Sequence, residues 1–194
     1  GNREEQMFRL AVLDRGAELV TCDANMNDGV DHAVDLHDLP FADNEFDMLL
    51  NIQVLEHVRH PDQVCREFFR VLKPGGVAII TVPQITHTLT AGTPPHYFNF
   101  TRHGLEACVA DAGFQVLAIE AQGGHFCAVA TMLHYSVRVI EHSNLPGWVK
   151  AISISVCRVF FGFAIKGLFK GLDPIDNQQR STLGWCICAL KVKG

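Results

Sequence analysis

The chain has 194 residues, a length that suits one domain, and 48% of them are apolar, enough for a core and too many for a disordered segment. A net charge of −5 lacks the basic stripe that a nucleic-acid binder needs. Seven cysteines, an odd number, with Cys65, Cys108, Cys127 and Cys157 inside apolar runs, argue against a disulfide framework and for reduced thiols in a cytoplasmic protein. No secretory signal is visible. Cys186 and Cys188 share one face of an expected strand, but further ligands at suitable spacing are missing, so no metal is expected.

In chain order, residues 4–13 read as a helix with Met7, Leu10 and Ala11 on one side, ended by Gly16. Residues 17–22 read as a short strand with Asp23 at its C-terminal end. A polar turn follows over 25–29, then a brief strand over 33–36 that contains Asp35. The stretch 39–83 reads as strand, turn, helix, turn and strand. Phe46 to Ile52 is a short apolar run, as expected of a strand buried on both faces. Pro61 suits a helix start, and Val64, Phe68, Val71 and Leu72 give that helix one apolar face. Lys73-Pro74-Gly75-Gly76 should stop it, and 77–82 should be a second strand, buried and β-branched.

Residues 86–97 form a loop rich in Thr, Pro and His. Thr101 suits the N-cap of a helix whose stripe is Leu105, Cys108, Val109 and Ala112, closed by Gly113 before a strand over 114–119. This alternation predicts an α/β fold, a mostly parallel twisted sheet with helices on both faces. Two apolar helical stretches, 126–135 and 151–169, break the rhythm. Between Glu141 and Asp173 there is no acid, while Lys150, Arg158, Lys166 and Lys170 all fall inside. A membrane span needs ~20 apolar residues, and Arg158 interrupts the second stretch. One reading is a helical cover over the C-terminal edge of the sheet, near the loop of His96 and Tyr97. The other is a basic, apolar surface over 148–170 that meets a membrane or a lipid-like substrate. Residues 184–192 read as the last strand. The expected organisation is a single domain: an α/β core over 1–124, inserted apolar helices over 125–183, and the last strand over 184–194.

Leu39-Pro40-Phe41, then Phe46-Asp47, then Leu55-Glu56-His57-Val58, then Arg70 through Gly76, in this order and spacing, resemble the class I S-adenosylmethionine-dependent methyltransferases. The nearest branch is the small-molecule group that includes the ubiquinone-biosynthesis C-methyltransferases. The likeness runs from Gly1 to about Val129 and resumes at Gly184. It implies a Rossmann-like sheet with an antiparallel last strand near one edge, and S-adenosyl-L-methionine as cofactor.

The resemblance also assigns candidate residues. Asp23, with Ala24 beside it, stands where an acid accepts hydrogen bonds from both ribose hydroxyls. Asp35 would accept from the adenine amino group and Leu36 would offer its backbone N–H, with Asp38 as a competitor for the first role. Asn51 and Gln53 would meet the methionine part. His57 could serve as a general base or be a structural residue bonded to a loop carbonyl, and His96 and Tyr97 would border the substrate. Positioning alone can carry methyl transfer to a good nucleophile. The largest departure is at the amino end: the family's first strand and glycine-rich loop should precede the first helix. Gly1 is read as a candidate last glycine of that loop. The absent strand would belong between the second and fourth strands, leaving unpaired backbone on both.

Two further readings stand beside methyl transfer to a small or lipid-like acceptor. A catalytically inactive methyltransferase-like binding module would suit the missing glycines. A nicotinamide-dependent oxidoreductase would suit Asp23, although the combination of motifs argues against it.

Overall fold

The computed structural model describes residues 16–25, 30–85, 94–159, 171–175 and 181–192, with backbone alone at 134, 138, 157–159 and 174. The helix expected over 4–13, the Gly1 assignment and all of 160–170 lie outside the described residues.

Two short parallel strands, β1 (Cys22–Asp23) and β2 (His32–Ala33), form one small sheet. Both are shorter than the runs the sequence suggests. A second sheet has the order β3 (Phe46–Ile52), β4 (Leu72–Pro83), β6 (Gly184–Leu190), β5 (Gln115–Gln122). β3 runs parallel to β4, while β6 is antiparallel to both of its neighbours, so β5 points the same way as β3 and β4. The expected antiparallel last strand therefore sits one place in from the edge. Gly184 begins it because a Cβ there would strike the Val82 carbonyl.

Helix α1 (Pro61–Val71) opens at a proline, as expected, and buries Val64, Cys65, Phe68 and Val71. Each such side chain is worth about 1.5–3 kcal/mol on burial, against ~0.3–0.5 kcal/mol for the exposed Arg66–Asp62 pair along the same helix. Packing, not surface charge, holds α1. Helix α2 (Arg102–Asp111) is capped by Thr101, whose Oγ1 accepts from the Gly104 N–H at 3.1 Å, and buries Leu105 and Val109. Both helices press on one face of the larger sheet, against Ala78, Ile80, Val82, Trp185, Ile187 and Ala189.

Two expectations are corrected. Lys73 to Gly76 does not separate helix from strand, because α1 passes directly into β4 at Leu72. Phe46 pairs with Leu72 and Met48 with Val77, so those four residues bulge out of the ladder. Gly76 lets the bulge close, since a Cβ there would lie 2.8 Å from the Lys73 carbonyl. Nor is β3 buried on both faces. Met48, Leu50 and Ile52 are exposed, because the helices that build the core lie on the opposite face.

Helices α3 (His125–Glu141) and α4 (Gly147–Val159) pack against each other. The expected cover over the sheet edge is not seen among the described residues: α4 finds its neighbour in α3, and Trp148, Ile152 and Val156 stay exposed. The excursion is pinned where it leaves and rejoins the sheet. Thr182 Oγ1 lies 2.8–3.0 Å from the carbonyls of Gln122, Gly123 and Gly184, to any one of which its single proton can be donated, and Asp173 accepts from the backbone N–H groups of Gly124 and Cys127 at the start of α3.

Candidate functional site

The segment after β2 is fastened to α1 by charge. The Arg70 guanidinium donates to both oxygens of Glu67, to Asp43 Oδ1, and to the carbonyls of Leu39 and Phe41, at 2.7–2.9 Å. Glu67 also accepts from the Leu39 N–H at 2.9 Å. These bonds hold the Glu67 carboxyl below its usual range, the Arg70 hydrogen bond being the largest cause. Gln63 Nε2 donates to the His37 carbonyl at 3.0 Å. His37 is thus held beside the start of α1 and residues 39–43 beside its second half.

On that support stand the candidate cofactor residues. Asp23 closes β1, and its carbonyl accepts from the Val34 N–H at 2.9 Å, which aligns the ends of β1 and β2. Its Oδ1 accepts from the Asn25 N–H at 2.9 Å, an Asx turn with Ala24 exposed at its tip. Asp35 lies two residues past β2. Its Oδ1 takes both the His37 N–H, at 2.9 Å, and His37 Nδ1, at 2.6 Å, while Oδ2 has no partner among the described residues. The backbone bond from His37, then the side-chain bond, holds the Asp35 carboxyl below its usual range. Leu36 follows, half-buried against the core.

Asn51 is buried near the end of β3, and its Oδ1 has no partner among the described residues. Gln53 comes just past that end with φ +54°, a left-handed backbone rare for a residue with a side chain. Its N–H donates to the Thr81 carbonyl at 3.0 Å, which fixes the turn against β4.

His57, His96 and Tyr97 come together next to this turn. The rings of His57 and His96 meet edge to face at 5.4 Å, and the Tyr97 N–H donates to the Glu56 carbonyl at 2.8 Å. Arg59 lies over the Tyr97 ring, 5.1 Å from its centroid. His57 Nδ1 bonds the Pro95 carbonyl at 2.8 Å, so Nδ1 carries a proton and Nε2 faces Glu56 Oε1 across 3.9 Å.

Glu56 is the residue that sequence reasoning missed. It is 3% exposed, its Oε2 has no partner among the described residues, and burial pushes its carboxyl above the usual range. The available signal was an acid between Leu55 and His57, in a run where a surface carboxylate would have no reason to sit. Other buried polar atoms without partners include His37 Nε2 and Gln84 Oε1. Together with Asn51 Oδ1 they follow or end β2, β3 and β4, the carboxyl ends of parallel strands where an α/β sheet takes its ligands. Ribose, adenine amino and amino-acid groups are what the carboxylates, the amide and the imidazole could satisfy, so the residues present fit a nucleoside-bearing amino acid.

Residues 4–80 match the family described as "Methyltransferase domain". Among curated relatives, a probable S-adenosylmethionine-dependent methyltransferase of Mycolicibacterium smegmatis is 38% identical over 86 residues, 42% of this chain and 33% of its own length. An uncharacterized methyltransferase of Mycobacterium leprae is 46% identical over 127 residues, 60% of this chain and 46% of its own. The chain thus spans less than half the length of these relatives. A crystal structure of an S-adenosylmethionine-dependent methyltransferase from Archaeoglobus fulgidus shares the fold, with a TM-score of 0.56 at 14% identity, over 95% of this chain and 80% of that one. The fold is Rossmann-like, as in that methyltransferase structure. Over residues 4–80 the chain is similar to methyltransferase domains, and the relatives it resembles include an S-adenosylmethionine-dependent methyltransferase.

Proposed function

We propose that this protein moves a methyl group from S-adenosylmethionine to a small, lipid-like acceptor, working as a cytoplasmic enzyme at a membrane face. The observation that carries the reading is the row of acids and orphaned buried polar atoms at the carboxyl ends of β1 to β4. Asp23 is assigned to the ribose, Asp35 Oδ2 and the Leu36 N–H to adenine, and Asn51 and Gln53 to the amino-acid part. When bound, the cofactor supplies an electrophilic methyl on a sulfonium. The chain's own share is orientation and exclusion of water. His96, Tyr97 and the Glu56–His57 pair are assigned to the acceptor side. The lipid-like acceptor is favoured by the large apolar side chains that α3 and α4 leave in solvent, and no helix among the described residues is long and apolar enough to cross a membrane.

Titration calorimetry with S-adenosylhomocysteine tests the cofactor assignment. Asp23→Ala should weaken binding by about 1.5–3 kcal/mol for each charged hydrogen bond lost. Equal affinities would remove Asp23 from the site, and tighter binding of NAD would replace the reading with an oxidoreductase.

One observation favours a second reading, a methyltransferase-like module that binds without turnover: His57 Nδ1 is committed to the Pro95 carbonyl, as in a structural histidine. Incubation with labelled S-adenosylmethionine and a lipid extract separates the two. Label entering the organic phase supports transfer. Cofactor binding with no product in any extract supports the module.

A further inference from the structure

On α4, Trp148, Ile152 and Val156 recur at i, i+4 and i+8 and are 70%, 58% and 61% exposed. Between them the helix exposes only Ala151 and Ser155, and Leu145 and Pro146, also exposed, lead into it. No charged side chain lies on this face among the described residues. An ordinary solvated helix puts its charges there and its apolar stripe inside. Here α3 takes the other side, with Lys150 turned back so that its Nζ donates to the Glu141 carbonyl.

We infer that this face of α4 docks on an anionic lipid leaflet, lying along the interface with Trp148 at the headgroup level. Charge selects lipid over water-soluble partners. From His142 to Leu172 the sequence carries Lys150, Arg158, Lys166 and Lys170 and no acid, in a chain whose net charge is −5. Cations of this kind are drawn to an anionic surface. Sequence favours lying over spanning, since Lys150, Arg158 and Lys166 interrupt the apolar stretch and no helix among the described residues is long and apolar enough to cross a membrane. A second copy is disfavoured by area and by charge. Three large side chains on one helix fall well short of the ~1,200–2,000 Å² that a stable interface buries, and the two cationic segments would repel. The docking deepens the membrane-face part of the proposed function, while the cofactor assignment stands or falls separately, because α4 contributes no residue to the candidate cofactor site.

The chain carries its own probe. Of its two tryptophans, Trp185 is 4% exposed in the core, so any change of emission on mixing with vesicles reports Trp148. The 194-residue chain mixed with phosphatidylglycerol–phosphatidylcholine vesicles at low salt should shift its emission to the blue and sediment with the lipid. It should do neither with pure phosphatidylcholine, nor with anionic vesicles at high salt. The Ile152→Asp, Val156→Asp variant places charge at exposed positions, so folding, checked by its melting curve, should survive while vesicle partitioning falls roughly tenfold or more. Unshifted emission at low salt would overturn the inference, as would a folded variant that still sediments like the parent. Burial of Trp148 in a vesicle-free dimer would overturn it in favour of a second copy.

Discussion

At Glu56 the chain hides a carboxyl group beside an imidazole whose proton is already placed elsewhere. His57 Nδ1 donates to the Pro95 carbonyl, which leaves Nε2 facing Glu56 Oε1 across 3.9 Å, too far for a hydrogen bond, and Glu56 Oε2 without a partner among the described residues. Burial is the first cause that raises the Glu56 pKa, with the two histidines acting against it. The sign follows. Below the ordinary carboxyl range both folded and unfolded chains are protonated, and this group costs the fold nothing. As pH climbs toward the raised folded value the unfolded chain ionises first, so stability falls. Glu56→Gln should abolish that fall, leaving a variant more stable than the parent at pH 8, by roughly 2–4 °C in Tm per kcal/mol recovered. Melting curves from pH 4 to 9 check it; parallel profiles for parent and variant would show that the group has no raised pKa. If the stabilised variant also loses turnover, the buried acid serves the site. Sequence could name His57 and His96 but not their edge-to-face pairing, because the loop that brings Pro95 and His96 to the 3-10 turn at Leu55–His57 has no periodicity to read.

The elements divide by what determined them. α1, α2 and β6 were legible because apolar spacing, a proline start and a threonine cap are local signals. The bulge at Lys73 to Gly76 was not, since proline and glycine stop a helix and interrupt a ladder with the same residues, and only the partner strand decides which. The clamp between α1 and residues 39–43 was likewise invisible, being made by one arginine with partners in two segments. Arg70→Ala removes five donated bonds, two of them to backbone carbonyls, and leaves Glu67 partly buried without its cation. We expect a loss of about 2–3 kcal/mol in chemical denaturation. The loss should depend on pH. Glu67 is held below its usual range, so its stabilisation is present above the unfolded value and disappears as pH falls through the folded one. The difference between parent and variant should therefore shrink on acidification. A variant as stable as the parent at neutral pH would show the clamp to be ornamental. Because the clamp orients Asp35 and Leu36, weaker S-adenosylhomocysteine binding should accompany the loss.

At the scale of the molecule, two of the apolar surfaces that face solvent among the described residues differ in kind. The stripe on α4 is helical and ringed by cationic sequence. The other is a sheet face, where Met48 and Ile52 are 51% and 60% exposed on β3, the edge strand of the larger sheet among the described residues. An apolar run of this sort predicts burial from sequence, and that expectation was sound chemistry even though the described helices cover the opposite side. Its consequence is physical. An exposed strand edge with a flat apolar face is a template for another strand, and β3 carries only Asp47 as a charge along its length. The 194-residue chain should therefore self-associate with rising concentration, through β3 pairing about a twofold axis. Met48→Lys with Leu50→Thr puts a charge and a β-tolerant polar group on that face and touches no candidate site residue. Sedimentation velocity should then find the variant monomeric where the parent is dimeric or larger, while Ile152→Asp, Val156→Asp leaves that association intact. A parent that stays monomeric at ~100 μM, well above the micromolar range of weak specific pairs, would show that β3 is not sticky.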